Sequence, residues 1–122
     1  MAKSAHSDVL DGCGGVVKSN CNLMIACSAA PADRNDAVNV VDLADVAMAT
    51  GDFTPAVDGG GRKLTVGAKS AVAIDHTGDA THVAFVDATR LLYVTTCTLQ
   101  GLTQGGTVDF PSHSICKIPQ PS

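Results

Sequence analysis

The chain has 122 residues, enough for one domain with a modest core; 45% of them are apolar but only 3% aromatic. The net charge is −4 and no basic cluster occurs, which argues against nucleic acid as a partner. No apolar run is long enough to span a bilayer, and Lys3 is followed by His6, Ser7 and Asp8 instead of the apolar segment of a secretion signal; the expectation is therefore a protein made in a reducing cytosol, with no membrane partner.

Residues Ser4 to Lys18 begin like a helix. Ser4 or Ser7 can cap it, and Asp8 sits in the first turn, where the helix dipole favours an anion. Val9, Cys13, Val16 and Val17 fall at helical spacing, but Gly12, Gly14 and Gly15 each cost up to ~1 kcal/mol relative to Ala. A short helix or arm over residues 1–19, ordered by packing on a neighbour, is expected. Asn20 to Cys27 reads as a strand, with Leu23, Ile25 and Cys27 on one face and Met24 and Ala26 on the other. A loop with Pro31 follows, then a helical turn over Asp36 to Val41 and a strand over Leu43 to Ala49. Phe53 to Val57 is a strand whose Pro55 suits a sheet edge.

Asp58-Gly59-Gly60-Gly61 reads as a tight turn; a phosphate cradle would need a following Lys-Ser/Thr and a helix, and neither is present. Leu64 and Val66, then Val72 and Ile74, continue the strand pattern, and Asp75 to Asp79 turns the chain again. The densest strand signal is Thr81 to Cys97, two β-branched and aromatic runs around the break Asp87-Ala88-Thr89-Arg90. It predicts a central antiparallel hairpin buried on both sides. Val83 and Phe85 oppose Ala84 and Val86 in its first strand, and Leu92 and Val94 oppose Leu91 and Tyr93 in its second. Gly101 and Gly105-Gly106 mark a loop, Val108 and Phe110 a further strand, and Ser112 to Ile118 the last, with Cys116 and Ile118 on one face. About seven strands at intervals of roughly ten residues indicate an all-β fold, an antiparallel β-sandwich or jelly roll over residues 20–122.

The five cysteines are an odd number and form no Cys-x-x-Cys, so neither a closed intrachain framework nor a zinc site is indicated. Cys27, Cys97 and Cys116 fall within expected strands, where burial or pairing within the chain is the simple reading. Cys13 and Cys21 lie in the Gly-rich N-terminal stretch, outside the expected core, and are the candidates for a disulfide between subunits. A redox thiol would need a lowered pKa beside a cation, and Cys13 near Lys18 is the one weak candidate. His6, His76, His82 and His113 read as surface histidines. A metal site would require His76 and His82 to converge with Asp75 or Asp79, and Cys97 with His82 would make a Cys–His pair lacking an orienting third residue. No catalytic residue, cofactor site or metal site is therefore assigned. A core of small side chains favours self-association, which buries more apolar surface at ~25 cal/mol per Å².

The opening MAKSAHSDVLDG, the middle LADVAMATGDFTP and GRKLTVGAK, and the stretch THVAFVDATRLLYVTTCTLQGLTQGGTVDFP resemble a family of small uncharacterised virion structural proteins of tailed bacteriophages and prophages. The resemblance covers most of the chain, and its motifs are structural. Where the relatives have a plain helix after Val9-Leu10-Asp11, this chain has Gly12-Cys13-Gly14-Gly15. The resemblance implies a non-enzymatic particle component at the head or neck, a decoration or collar protein assembled in the host cytoplasm. Its expected partners are copies of itself, a trimer first, and capsid, portal or neck proteins. A small glycan- or ligand-binding module at a fibre or spike base is the rival expectation.

Overall fold

A computed structural model describes residues 12–58 and 61–118. Among the described residues the fold is all-β with one short α-helix. In chain order the elements are α1 (Gly12–Asn20), β1 (Leu23–Cys27), a π-helical turn (Asp36–Val40), β2 (Asp42–Ala47), a 3-10 turn (Thr50–Asp52), β3 (Phe53–Asp58), β4 (Gly61–Val66), β5 (Lys69–Ala73), β6 (Gly78–Val86), β7 (Leu91–Leu102), β8 (Thr107–Phe110) and β9 (His113–Ile118). The strands form a four-stranded sheet in the order β2-β1-β6-β7, a three-stranded sheet β3-β4-β9 and the pair β5-β8. Every pairing is antiparallel.

The expected central hairpin is β6–β7. Its polar break is a turn closed by one carboxylate: Asp87 accepts from the backbone N–H groups of Thr89 and Arg90 and from Arg90 Nε at 2.7 Å. An aspartate that reaches forward in this way fixes a turn without glycine. Strand β6 lies between β1 and β7 and is buried on both faces, as its apolar run predicts. Val83 and Phe85 point into a large core shared with Met24, Phe53, Leu64, Val66 and Ile115. Ala84 and Val86 point the other way, into a smaller cluster with Ile25, Cys27 and Ala37, which the π-helical turn covers.

Strand β7 departs from expectation in two respects. It is an edge strand and only half-buried, so the hairpin is not enclosed on both sides throughout. Its facing is also shifted. Leu91 and Val94 pack on the smaller cluster, whereas Leu92 and Tyr93 pack on the large core. The register slips between Phe85↔Tyr93 and Val86↔Leu91, inserting one extra residue in β7, and a bulge of this kind breaks strict alternation. The same physics acts in β9: Ile115 and Cys116 are consecutive and both buried, with Cys116 at φ 51° where the β4–β9 register slips, while the Ile118 side chain, expected to share a face with Cys116, lies outside the described residues. The strand also runs on through Gly101 to Leu102, leaving a loop of only Thr103 to Gly106. Gly105 turns that loop at φ 90°, a conformation cheap for glycine alone.

The helix forms despite its glycines because it packs on its own domain. Val17 is 3% exposed within the large core. Lys18 Nζ donates to the carbonyls of Thr50 (2.9 Å) and Phe53 (2.7 Å), clamping α1 against the 3-10 turn. Gly14 lies against Leu64, so that a Cβ there would sit 3.4 Å from that side chain. That is ordinary van der Waals distance, so the glycine lies on the packed side of the helix without being required there. Val16, expected on the apolar stripe with Val17, is instead 45% exposed, while Val9 and the Cys13 side chain lie outside the described residues.

Candidate functional site

An apolar hollow lies where β6 and β7 face β8. It is a cleft of about 200 Å³ walled by Val83, Cys97, Leu102, Val108 and Phe110, with Gln100 and Asp109 at its rim. Its position follows from the strand register. Between His82↔Thr96 and Ala80↔Gln100, β7 advances four residues while β6 advances two. The surplus falls at Cys97 to Leu99, along the cleft wall. Asp109 is already engaged, accepting from the Ala71 N–H at 2.8 Å. A second, more polar hollow of about 260 Å³ includes Asp42, His76 and Thr77, with His76 Nε2 3.5 Å from Asp42 Oδ2.

The cysteines are dispersed. Cys21 is a correction to the sequence reading: it is 5% exposed and belongs to the large core, with its Sγ donating to the Leu23 carbonyl at 3.3 Å. The short Gly-rich helix ends just before Cys21, whose N–H still bonds back to the Val17 carbonyl at 2.8 Å and turns it inward. The position is thus poorly placed to reach a neighbouring subunit. The Cys13 side chain lies outside the described residues. Cys27 and Cys116 are buried, and Cys97 is half-buried on the cleft wall. Cys27 and Cys97 pack into different clusters, on opposite faces of one sheet, and both are free thiols.

Burial pushes the Cys21 thiol up to about 11 and the Cys27 thiol to about 12, and burial also raises Cys97. These three groups are therefore thiols at neutral pH, with little of the thiolate that nucleophilic or redox chemistry requires.

The histidines do not converge either. His82 Nδ1 pairs with its neighbour Thr81 Oγ1 at 2.8 Å. His113 Nδ1 lies 3.0 Å from the Pro111 carbonyl, and its ring packs 5.9 Å from that of Phe85. His6 lies outside the described residues. Cys97 and His82 are not a pair, because His82 faces Thr96 and Cys97 turns to the core. Sequence reading missed a different juxtaposition: β1 pairs with β6 so that Cys27 lies directly opposite His82. Only strand register could disclose it, and the Cys27 Sγ donates to the Ile25 carbonyl at 3.6 Å. Among the described residues no three His, Cys, Asp or Glu side chains gather to hold a metal ion, and no helix is long and apolar enough to cross a membrane. At Asp58-Gly59-Gly60-Gly61, Asp58 pairs with Gly61, as in a two-residue hairpin, though Gly59 and Gly60 themselves lie outside the described residues.

No family model, curated protein or solved structure matches the chain. What the arrangement offers chemically is a small apolar cleft with one neutral thiol, on an all-β scaffold whose longest strand lies at a sheet edge.

Proposed function

We propose that this chain is a non-enzymatic structural protein of a tailed-bacteriophage particle, self-associating at the head or neck as a decoration or collar component. The observation that carries the reading is the resemblance of MAKSAHSDVLDG and THVAFVDATRLLYVTTCTLQGLTQGGTVDFP to virion structural proteins. The structure adds physical support. Nearly all the aromatic surface is spent inside the domain: Phe53, Phe85 and Phe110 are buried, and Tyr93 packs 6.4 Å from Phe85. A glycan-binding module depends on exposed aromatic platforms, so this distribution favours the structural reading over its rival.

The cleft beside Cys97 favours, as a second reading, binding of a small apolar group rather than a sugar. Mass spectrometry of purified particles tests the main reading. This chain should appear in fixed stoichiometry with the capsid protein and persist through gradient purification. Its absence from mature particles would sink the reading.

A further inference from the structure

Strand β7 is the longest among the described residues, twelve residues, and spans roughly 40 Å at ~3.3 Å per residue. Among the described residues it pairs only with β6, which leaves its other edge without a strand partner. An edge of this kind is a template for another strand, and proteins that avoid such pairing blunt their edges with charge, proline, bulges or brevity.

The other edges here carry those devices. Strand β2 has Asp42 and Asp45, and β3 has Pro55. Strand β9 has Lys117 and the left-handed Cys116; β5 has Lys69 and the left-handed Ala71; β8 is four residues long with Asp109. Strand β7 has two bulges but neither charge nor proline. The uncharged run extends from Leu91 to Val108, in a chain of which 16% is charged.

That neutrality points to a particular occupant. Antiparallel pairing about a twofold axis sets a strand against its own copy, so any charge near the axis meets the same charge. A hetero-partner would tolerate charge of the opposite sign. Strand β7 meets no like charge in any register, although each copy carries a net charge of −4. Between its bulges, the regular arm Tyr93–Thr96 continues the ladder from Phe85 to His82, and its threonines suit cross-strand hydroxyl pairs.

We propose that two copies of this chain join edge to edge through β7, antiparallel about a twofold axis, merging their four-stranded sheets into one. The inference rests on the self-association proposed above and names its surface. It gives an even-numbered oligomer in place of a trimer.

The experiment uses the purified full chain. Analytical ultracentrifugation over a concentration series should show a monomer–dimer equilibrium. Hydrogen exchange should slow in residues 91–102 as concentration rises, with no change in β2 or β3. Thr96→Lys with Thr98→Lys, both at exposed positions, should weaken association by on the order of tenfold. Val57→Lys, at an exposed position on the proline-bearing edge, should not. Thermal unfolding of each variant checks that it folds. A monomer at every concentration overturns the proposal, as does an oligomer whose β7 exchange is unprotected or whose association ignores the two lysines. Pairing through β7 in a chain absent from particles would sink the virion reading alone; a particle protein without β7 protection would sink this one alone.

Discussion

Phe85 is the residue on which the core converges. It is fully buried on the central strand, with Phe53 6.2 Å away edge-on and Tyr93 and His113 also against its ring. Truncation removes these contacts at once and leaves a cavity between sheets that cannot close without bending a ladder. Phe85→Ala should cost ~3–5 kcal/mol, a large part of a marginal domain's stability, and chemical denaturation will register it as a lowered midpoint or as insoluble protein.

Asp87 works at the same scale through charge. Hydrogen bonds from the Thr89 backbone, and then from the Arg90 side chain and backbone, hold its carboxyl down to about 2, below the ~3.9 of an unfolded aspartate. A depressed folded value means the carboxylate stabilises the fold above pH ~4 and loses that contribution as pH falls through about 2. Asp87→Asn keeps an acceptor for the turn amides but discards the charge facing Arg90. The variant should be less stable than wild type at neutral pH, with the gap narrowing on acidification toward pH 2. Denaturation midpoints measured across that range will check it; a gap independent of pH would refute the electrostatic account.

At the scale of elements, the backbone departs from ideal geometry where bulges fall. Ala71 sits at φ 55° where the β5–β8 register slips, exposed to solvent, with its N–H donating to Asp109. An L-residue pays roughly 1–2 kcal/mol for that conformation and glycine does not, so Ala71→Gly should raise stability by up to about 1 kcal/mol after the entropy of the unfolded chain is counted. The helix offers the converse. Gly15 has no neighbouring atom within 4 Å of where a Cβ would stand. Gly15→Ala should therefore gain ~0.5–1 kcal/mol from helix propensity alone. Differential scanning calorimetry of the two variants and their combination tests both changes, which should add because the sites share no partner. The helix was the hardest element to read from sequence. Its three glycines weigh against it locally, and what outweighs them is the tertiary docking of Val17 and the Lys18 clamp.

At the scale of the molecule, the thiols report how the core opens. Cys21 and Cys27 are buried in the two separate clusters on either side of the four-stranded sheet, and Cys97 is half-buried at the cleft. Among the cysteines whose side chains are described, maleimide labelling of native protein at neutral pH should modify Cys97 first. Cys21 and Cys27 should react only at the rate of global unfolding, and together, because the sheet between them must open for either. Peptide mapping by mass spectrometry will separate the sites. Fast labelling of Cys21 in folded protein would show that the helix end opens by itself.

Strand identity and the facing of β1 and β6 were legible in the sequence, because alternation between Leu23 and Cys27 and between Val83 and Val86 encodes two buried faces directly. So were the turn at Asp87 and the edge position of β3, since an aspartate among turn residues and a proline in a strand each act on their own backbone. The register of β7 and β9, the burial of Cys21 and the placing of Cys27 opposite His82 were decided only by the tertiary structure. A bulge is a compromise between two strands of unequal length, and neither strand's sequence alone records its partner's count. The cleft has the same origin: its thiol-bearing wall carries the surplus residues of β7, which exist only relative to β6.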